Sequence, residues 1–297
     1  MVLSSEVAAM RRAIAVSAAG LGSTSPNPPV GCVVLDSEGR VIGEGYHERK
    51  GEAHAESQAV AAAGTLAAGA TAVVTLEPCN HHGRTPACRQ VLIDAKVRRV
   101  VIALIDPTSR GEGGAAELRA AGVEVEIGVL ADEARVVLGP WLTALTTRRP
   151  VVTWPYLISG RGIEPLPDEA DEARLLRQNV DAVLREDGSV TEAVAGRHGA
   201  GILDLGKGSR GAPDEVLASL YEGGVRQLLL ACGLGMAAPF LAAELIDRIC
   251  AYIPDGTSSL RPETVLPWPQ MPPGFVITDA ARLPGSVRIK AQRKSGR

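Results

Sequence analysis

The chain is read from Thr75-Leu76-Glu77-Pro78-Cys79-Asn80-His81-His82-Gly83-Arg84-Thr85-Pro86-Ala87-Cys88, together with His54-Ala55-Glu56 upstream of it. A short β-branched strand, Ala72 to Leu76, runs into the cysteine stretch, and helical patterns start at Ala53 and at Cys88. This strand–loop–helix order belongs to an α/β fold. The two stretches supply one imidazole, two thiols and one carboxylate. A neutral histidine and two thiolates hold zinc with the fourth position open to water, whose pKa falls to roughly 7 on the metal. A glutamate that is not a ligand can then shuttle protons. This is the equipment for hydrolysing an amino group off a nitrogen heterocycle.

On this reading His54, Cys79 and Cys88 are the zinc ligands and Glu56 is the proton carrier. Helix N-termini favour thiolate over thiol, and both cysteines are expected at or near such a start. Eight residues separate Cys79 from Cys88, where the generic deaminase signature has two. The longer loop brings His81, His82, Gly83, Arg84 and Pro86 to the mouth of the site. The alternatives are a structural zinc site or two unrelated cysteines on a turn. A structural site would want a fourth protein ligand and no carboxylate beside the histidine.

The 297 residues are 45% hydrophobic and 22% charged, with formal net charge −3. That length suits two domains, each able to bury its own core. A nucleic-acid partner calls for a basic face, and here Lys and Arg are scattered among acids, so a small molecule is expected instead. Five cysteines, two in a metal-type arrangement, fit a reducing compartment and a cytoplasmic protein. Arg11-Arg12 before an apolar run can be read as an export signal or as part of an amphipathic helix from Ser5 to Gly20; the helix is preferred. The uncharged run Gln227 to Ala243 contains Gly233, Gly235 and Pro239 and is too short and interrupted to span a membrane.

Further strands are expected at Val30–Leu35, Val41–Gly45, Arg99–Leu104 and Val123–Ile127, the last at an edge, with helices over Ala115–Ala121 and from Ala131 towards Trp141. The polar Thr146-Thr147-Arg148-Arg149-Pro150 reads as a junction, giving domains over residues 1–146 and 150–297. Beyond it, strands are expected at Val151–Thr153, Ala182–Leu184 and Leu228–Leu230, helices over Ala170–Gln178 and Ala238–Ile246, a loop over Gly160–Asp168 and a frayed end from Lys290.

Ser25-Pro26-Asn27-Pro28-Pro29-Val30-Gly31-Cys32-Val33-Val34, Gly51-Glu52-Ala53-His54-Ala55-Glu56 and the Thr75–Cys88 stretch resemble the riboflavin-biosynthesis bifunctional deaminase–reductase family, over about residues 7 to 145. The resemblance implies an N-terminal cytidine deaminase-like three-layer α/β/α domain and a C-terminal dihydrofolate reductase-like α/β domain. It also implies a (phospho)ribosylated diaminopyrimidine as substrate, in riboflavin biosynthesis or a related specialised-metabolite pathway, and a homodimer or homotetramer. By the same resemblance Asn27 and His47 contact base or ribose, His81 reaches pyrimidine or phosphate, and Arg84 pairs with phosphate. Two parallel hydrogen bonds from a guanidinium suit that last role. Asp106-Pro107 also matches the family, whereas Thr108 to Gly113 departs from it.

The family's reductase half uses NADPH, and here its polar residues are replaced. Pro155 stands where a lysine belongs and Arg161 where an aspartate belongs. Glu186 and Asp187 fill a glycine turn that should approach the cofactor, and Ala231-Cys232-Gly233 replaces a Glu-Gly-Gly. Proline cannot hold a phosphate and lacks a backbone donor, and acids repel one. The expectation is a diverged reductase-like domain without reductase activity and without NADPH, with Zn2+ as the sole cofactor. Gly206 to Gly211 lacks P-loop spacing, and Cys232 and Cys250 are expected in the core. The competing functions are a fully bifunctional enzyme, a non-catalytic zinc-stabilised interaction module, and deamination of bases in nucleic acid. The last is opposed by the missing basic and aromatic track.

Overall fold

A computed structural model of the chain describes residues 1–81, 86–108, 113–206, 211–255 and 272–294. It forms two compact units, Met1–Gly139 and Pro140–Arg297. No helix among the described residues is long and apolar enough to cross a membrane.

The first unit begins with helix α1 (Ser4–Ser17) and the antiparallel pair β1 (Gly31–Leu35) and β2 (Val41–Tyr46). Helix α2 (Ala55–Ala63), strand β3 (Thr71–Leu76), helix α3 (Cys88–Asp94), strand β4 (Arg99–Leu104), helix α4 (Gly114–Ala120) and strand β5 (Glu124–Ile127) follow. The sheet order is β2-β1-β3-β4-β5, with β3, β4 and β5 parallel and β1 antiparallel to both neighbours. β1, β3 and β4 are buried at every residue, as strands covered on both faces must be, and β5 is the more exposed edge. Side chains alternate across the sheet. Cys32, Val34, Val74 and Ile102 pack with Ala55, Ala59, Leu92 and Leu118 from α2, α3 and α4, while α1 presses on the other face, where Met10 and Ala13 are buried. This is the expected three-layer arrangement.

Glycine sets how closely the layers approach. A Cβ on Gly43 would run into the Ala59 carbonyl, and one on Gly45 into Gln58 and the Ala55 carbonyl. Helix α2, which carries the histidine–glutamate pair at its start, therefore lies directly on the backbone of β2. Across the sheet, Arg99 donates to Glu6 at 2.7 Å, with both side chains buried, and also pairs with Glu124 and Glu126. Removing one partner of a buried ion pair costs about 3–5 kcal/mol, whereas replacing the pair by apolar groups is often neutral. Arg99→Met alone is thus expected to destabilise the first unit by about 3–5 kcal/mol, and Glu6→Leu with Arg99→Met to recover most of that loss. Urea unfolding followed by tryptophan fluorescence and circular dichroism checks both; a single variant within 1 kcal/mol (roughly) of the parent would contradict the argument.

Helix α5 (Ala131–Thr147) contains Pro140. The helix ends at Thr147, so that Thr146–Pro150 joins α5 to the strand that starts at Val151, and the two compact units divide earlier, between Gly139 and Pro140. Polarity marked the helix terminus, and the sequence carried no composition shift at residue 139.

The second unit contains β6 (Val151–Ser159), β7 (Gly162–Pro165), α6 (Asp171–Arg177), β8 (Ala182–Arg185), β9 (Val190–Glu192), α7 (Pro213–Glu222), β10 (Gln227–Ala231), α8 (Leu234–Ala242), β11 (Arg248–Pro254), β12 (Phe275–Leu283) and β13 (Ser286–Arg293). Its sheet runs β12-β13-β11-β6-β10-β8-β9, with β7 paired to β6. The inner strands β11, β6, β10 and β8 are parallel. Trp154, Leu184, Leu217, Leu228, Leu230 and Ile246 form its core, and Trp154 Nε1 donates to the Cys232 carbonyl at 3.0 Å. Cys232 and Cys250 are buried as expected.

Several elements differ from the sequence expectation. Helix α8 begins four residues earlier than expected, at Leu234 after Gly233 as its N-cap, and carries Pro239 in its second turn. Lys290–Arg293 are strand residues, since β13 pairs with both β11 and β12. Ile163 to Pro165 form half of a hairpin, not a loop. The Gly206–Gly211 stretch lies largely outside the described residues.

Candidate metal centre and its surroundings

His54 occupies the residue before α2 in extended conformation (φ −74°, ψ 163°), so its ring leaves the helix start toward the end of β3. Cys88 opens α3, while Cys79 lies in the loop after β3, not at a helix start as expected. His54 Nδ1 is 3.2 Å from Cys88 Sγ and 3.7 Å from Cys79 Sγ, and the two sulfurs are 3.3 Å apart. These three donors form a metal-capable group. Tetrahedral zinc with bonds of about 2.0–2.3 Å sets donor edges of about 3.5–3.8 Å. The observed edges sit at or a few tenths of an ångström (roughly) inside that range, and one imidazole with two thiols is the donor chemistry that zinc selects.

The electrostatics favour the thiolate at Cys79 and the thiol at Cys88. The Cys88 thiol, His54 and the Cys88 backbone N–H, at 3.3 Å, all donate to Cys79 Sγ, which holds that thiol below its ordinary range. Cys88 is raised in turn, because it is the donor to that sulfur and is buried. Glu56, in the first turn of α2, is 3% exposed. Burial pushes its carboxyl up to about 6, with the nearby His54 acting in the opposite direction and Cys79 adding to the rise; it also hydrogen-bonds the Cys88 thiol.

His47 and Asn27 meet beside the metal group. The His47 ring lies edge-on to that of His54, centroids 4.9 Å apart. His47 Nδ1 is 3.3 Å from the Ala53 carbonyl, which can only accept, and Nε2 is 3.2 Å from Asn27 Nδ2, which can only donate. The pattern assigns the proton to Nδ1. Burial, helped by the charge of His54, pushes His47 down to about 4, so the ring is neutral near pH 7. His81 is exposed in the cysteine loop. Asp106, after β4, accepts from the Thr108 backbone N–H at 2.8 Å and its hydroxyl at 2.7 Å. Arg84 and His82 lie outside the described residues.

Two groups at this site were not anticipated. Arg89 donates to Asn80, and its backbone N–H to the Cys79 carbonyl, fastening the two ends of the cysteine loop. Glu77 is buried at the base of that loop and accepts from the backbone amides of Asp106, after β4, and Ala115, in the first turn of α4. A charged residue at the end of an all-buried strand was the available signal for Glu77.

In the second unit Pro155 is buried in β6, past the last pairing to β10 at Thr153 and before the first pairing to β7 at Tyr156. The strand has a neighbour there on one side only, where a proline is tolerated. Arg161 is exposed in the β6–β7 turn and pairs with Glu164. Glu186 accepts the Gly233 N–H at 2.6 Å, placing a carboxylate at the start of α8, and Asp187 holds its own turn through Ser189.

Residues 3–104 match the cytidine and deoxycytidylate deaminase zinc-binding region, and residues 171–254 match the RibD C-terminal domain. Fold and site thus define a zinc-dependent deaminase joined to a RibD-type domain. The riboflavin biosynthesis protein RibD of Mycobacterium tuberculosis is 38% identical over 274 residues, covering 78% of this chain and 80% of that protein. RibD of Corynebacterium ammoniagenes is 32% identical over 283 residues, covering 82% and 84%. A Thermotoga maritima structure described as a diaminohydroxyphosphoribosylaminopyrimidine deaminase/5-amino-6-(5-phosphoribosylamino)uracil reductase superposes with TM-score 0.78 at 25% identity, covering 98% of this chain and 99% of that one. The chain belongs to the bifunctional riboflavin-biosynthesis deaminase–reductase family.

Proposed function

We propose that the first unit hydrolyses the amino group of a phosphoribosylated diaminopyrimidine, with Glu56 as proton carrier and His54, Cys79 and Cys88 as zinc ligands. The observation that carries this is the convergence of those three donors beside a buried carboxyl raised toward neutrality. Zinc held there supplies Lewis-acid activation of water. Glu56 would take a proton from the attacking water and pass it to the ring nitrogen, then take the second proton from the hydroxyl added to the ring carbon and deliver it to the departing amine, leaving a carbonyl and ammonia. A carboxyl raised toward neutrality is suited to both directions of transfer. Neutral His47 offers no charge to the substrate; it holds the Ala53 carbonyl and, with Asn27, lines the approach to the ring. On the family's pattern Arg84 is assigned to the phosphate, His81 to the pyrimidine or the phosphate, and Asp106 to substrate binding. Ammonia release from free, ribosylated and phosphorylated aminopyrimidines tests the reading, which fails if the zinc-loaded chain deaminates none of them.

The second unit is assigned a supporting role without hydride transfer. Glu186 at the start of α8 places negative charge where dinucleotide phosphates commonly dock on a helix N-terminus beyond a parallel strand. The match to the RibD C-terminal domain favours the competing bifunctional reading. Mixing the chain with NADPH and the deaminated product decides between them: constant nicotinamide absorbance supports the assignment, and its decay at enzymic rates overturns it.

A further inference from the structure

Glu77 lies between Leu76, the last residue of β3, and Pro78-Cys79. It is 6% exposed, yet it is not among the metal donors. Its Oε1 accepts the Ala115 N–H at 2.8 Å and its Oε2 the Asp106 N–H at 3.3 Å. Its own N–H donates to the Leu104 carbonyl at 2.8 Å. One carboxylate therefore grips the chain just after β4 and again in the first turn of α4, and these points flank the connection between the two elements. The grip is tight, because a Cβ on Gly114 would run into the Pro78 carbonyl. The Ala115 amide is buried and the Asp106 amide half-buried, and a carboxylate with two acceptor oxygens can accept from both at once.

We propose that Glu77 is a positioning residue that locks the β4–α4 connection, with Asp106 at its start, onto the peptide leading to Cys79, so that substrate contacts and metal ligand share one anchor. This rests on the deaminase reading of the same site. Glutamine is nearly isosteric but turns one acceptor into a donor, so one of the two amides must lose its partner. Zinc binding should survive, because no donor atom is changed.

The test is Glu77→Gln in the full zinc-loaded chain, with zinc content, amide hydrogen exchange and ammonia-release kinetics measured together. Expected are one zinc per chain as in the parent, and exchange of the Asp106 and Ala115 amides accelerated by about tenfold to a hundredfold. KM for the aminopyrimidine should rise about tenfold, while kcat stays within about threefold, because uniform binding is lost rather than chemistry. Unchanged exchange at both amides overturns the proposal, as does loss of zinc with KM unaltered, which would make Glu77 a support for the metal turn alone. If Glu77→Gln does not fold, Ala115→Pro removes one of the two donors at a helical position that tolerates proline; faster exchange at Asp106 is then expected, and unchanged exchange there overturns the coupling. Should the parent chain deaminate no pyrimidine, the deaminase reading fails by that result, while the exchange measurements still decide whether Glu77 is the anchor.

Discussion

A Glu56→Gln chain is expected to keep its zinc and lose ammonia release by at least about 10³-fold. Positioned acid–base groups contribute about 10²–10⁴ each, and the proposed mechanism gives this one carboxylate the transfers both to the ring and to the leaving amine. The amide matches the carboxylate in shape, so the buried position beside Cys88 is filled without a cavity, and nothing in the donor set of His54, Cys79 and Cys88 changes. The check is kcat for ammonia release set against zinc measured by atomic absorption on the same sample. Activity within tenfold (roughly) of the parent, at full zinc, would remove Glu56 from the mechanism. Loss of zinc together with activity would make its role structural.

Cys88→Ala is expected to abolish both metal and turnover. Of the three donors Cys88 is the buried one, and it opens α3 with its backbone N–H on Cys79 Sγ at 3.3 Å. Without its sulfur two protein donors remain, fewer than the three a catalytic zinc site keeps. Dialysis against a mild chelator should then leave the variant without zinc while the parent retains it, and added zinc should not restore ammonia release. The distinction from Glu56→Gln is the readout that matters: one variant separates chemistry from metal, and the other loses them together. Full zinc and activity in Cys88→Ala would disprove the assigned ligand set.

Much of the first unit could be read from residue order. The β-branched runs at Val30–Leu35, Ala72–Leu76 and Arg99–Leu104 are strands whose neighbours cover both faces, so local apolarity and final burial coincide. His54, Cys79 and Cys88 were legible because soft and borderline donors in that order have few uses besides a metal. The second unit was less legible. α7, β11 and β12 are elements of the structure only, β12 because it is exposed along most of its length and carries little apolar pattern. Pairing to β13, rather than its own composition, makes it a strand.

Residue types and spacing alone determined that this chain carries an imidazole, two thiols and a carboxylate fit for zinc-assisted deamination, set in an α/β framework. Only the tertiary structure decided that Glu77 grips Asp106 and Ala115, that His47 is neutral and bonded between Asn27 and Ala53, and that Glu186 meets Gly233. The physical reason is that a donor set reveals itself by chemical type, which sequence records. A buried polar side chain acquires its role from whichever backbone groups the packed layers bring within 3.5 Å or so of it, and those partners lie up to tens of residues away along the chain.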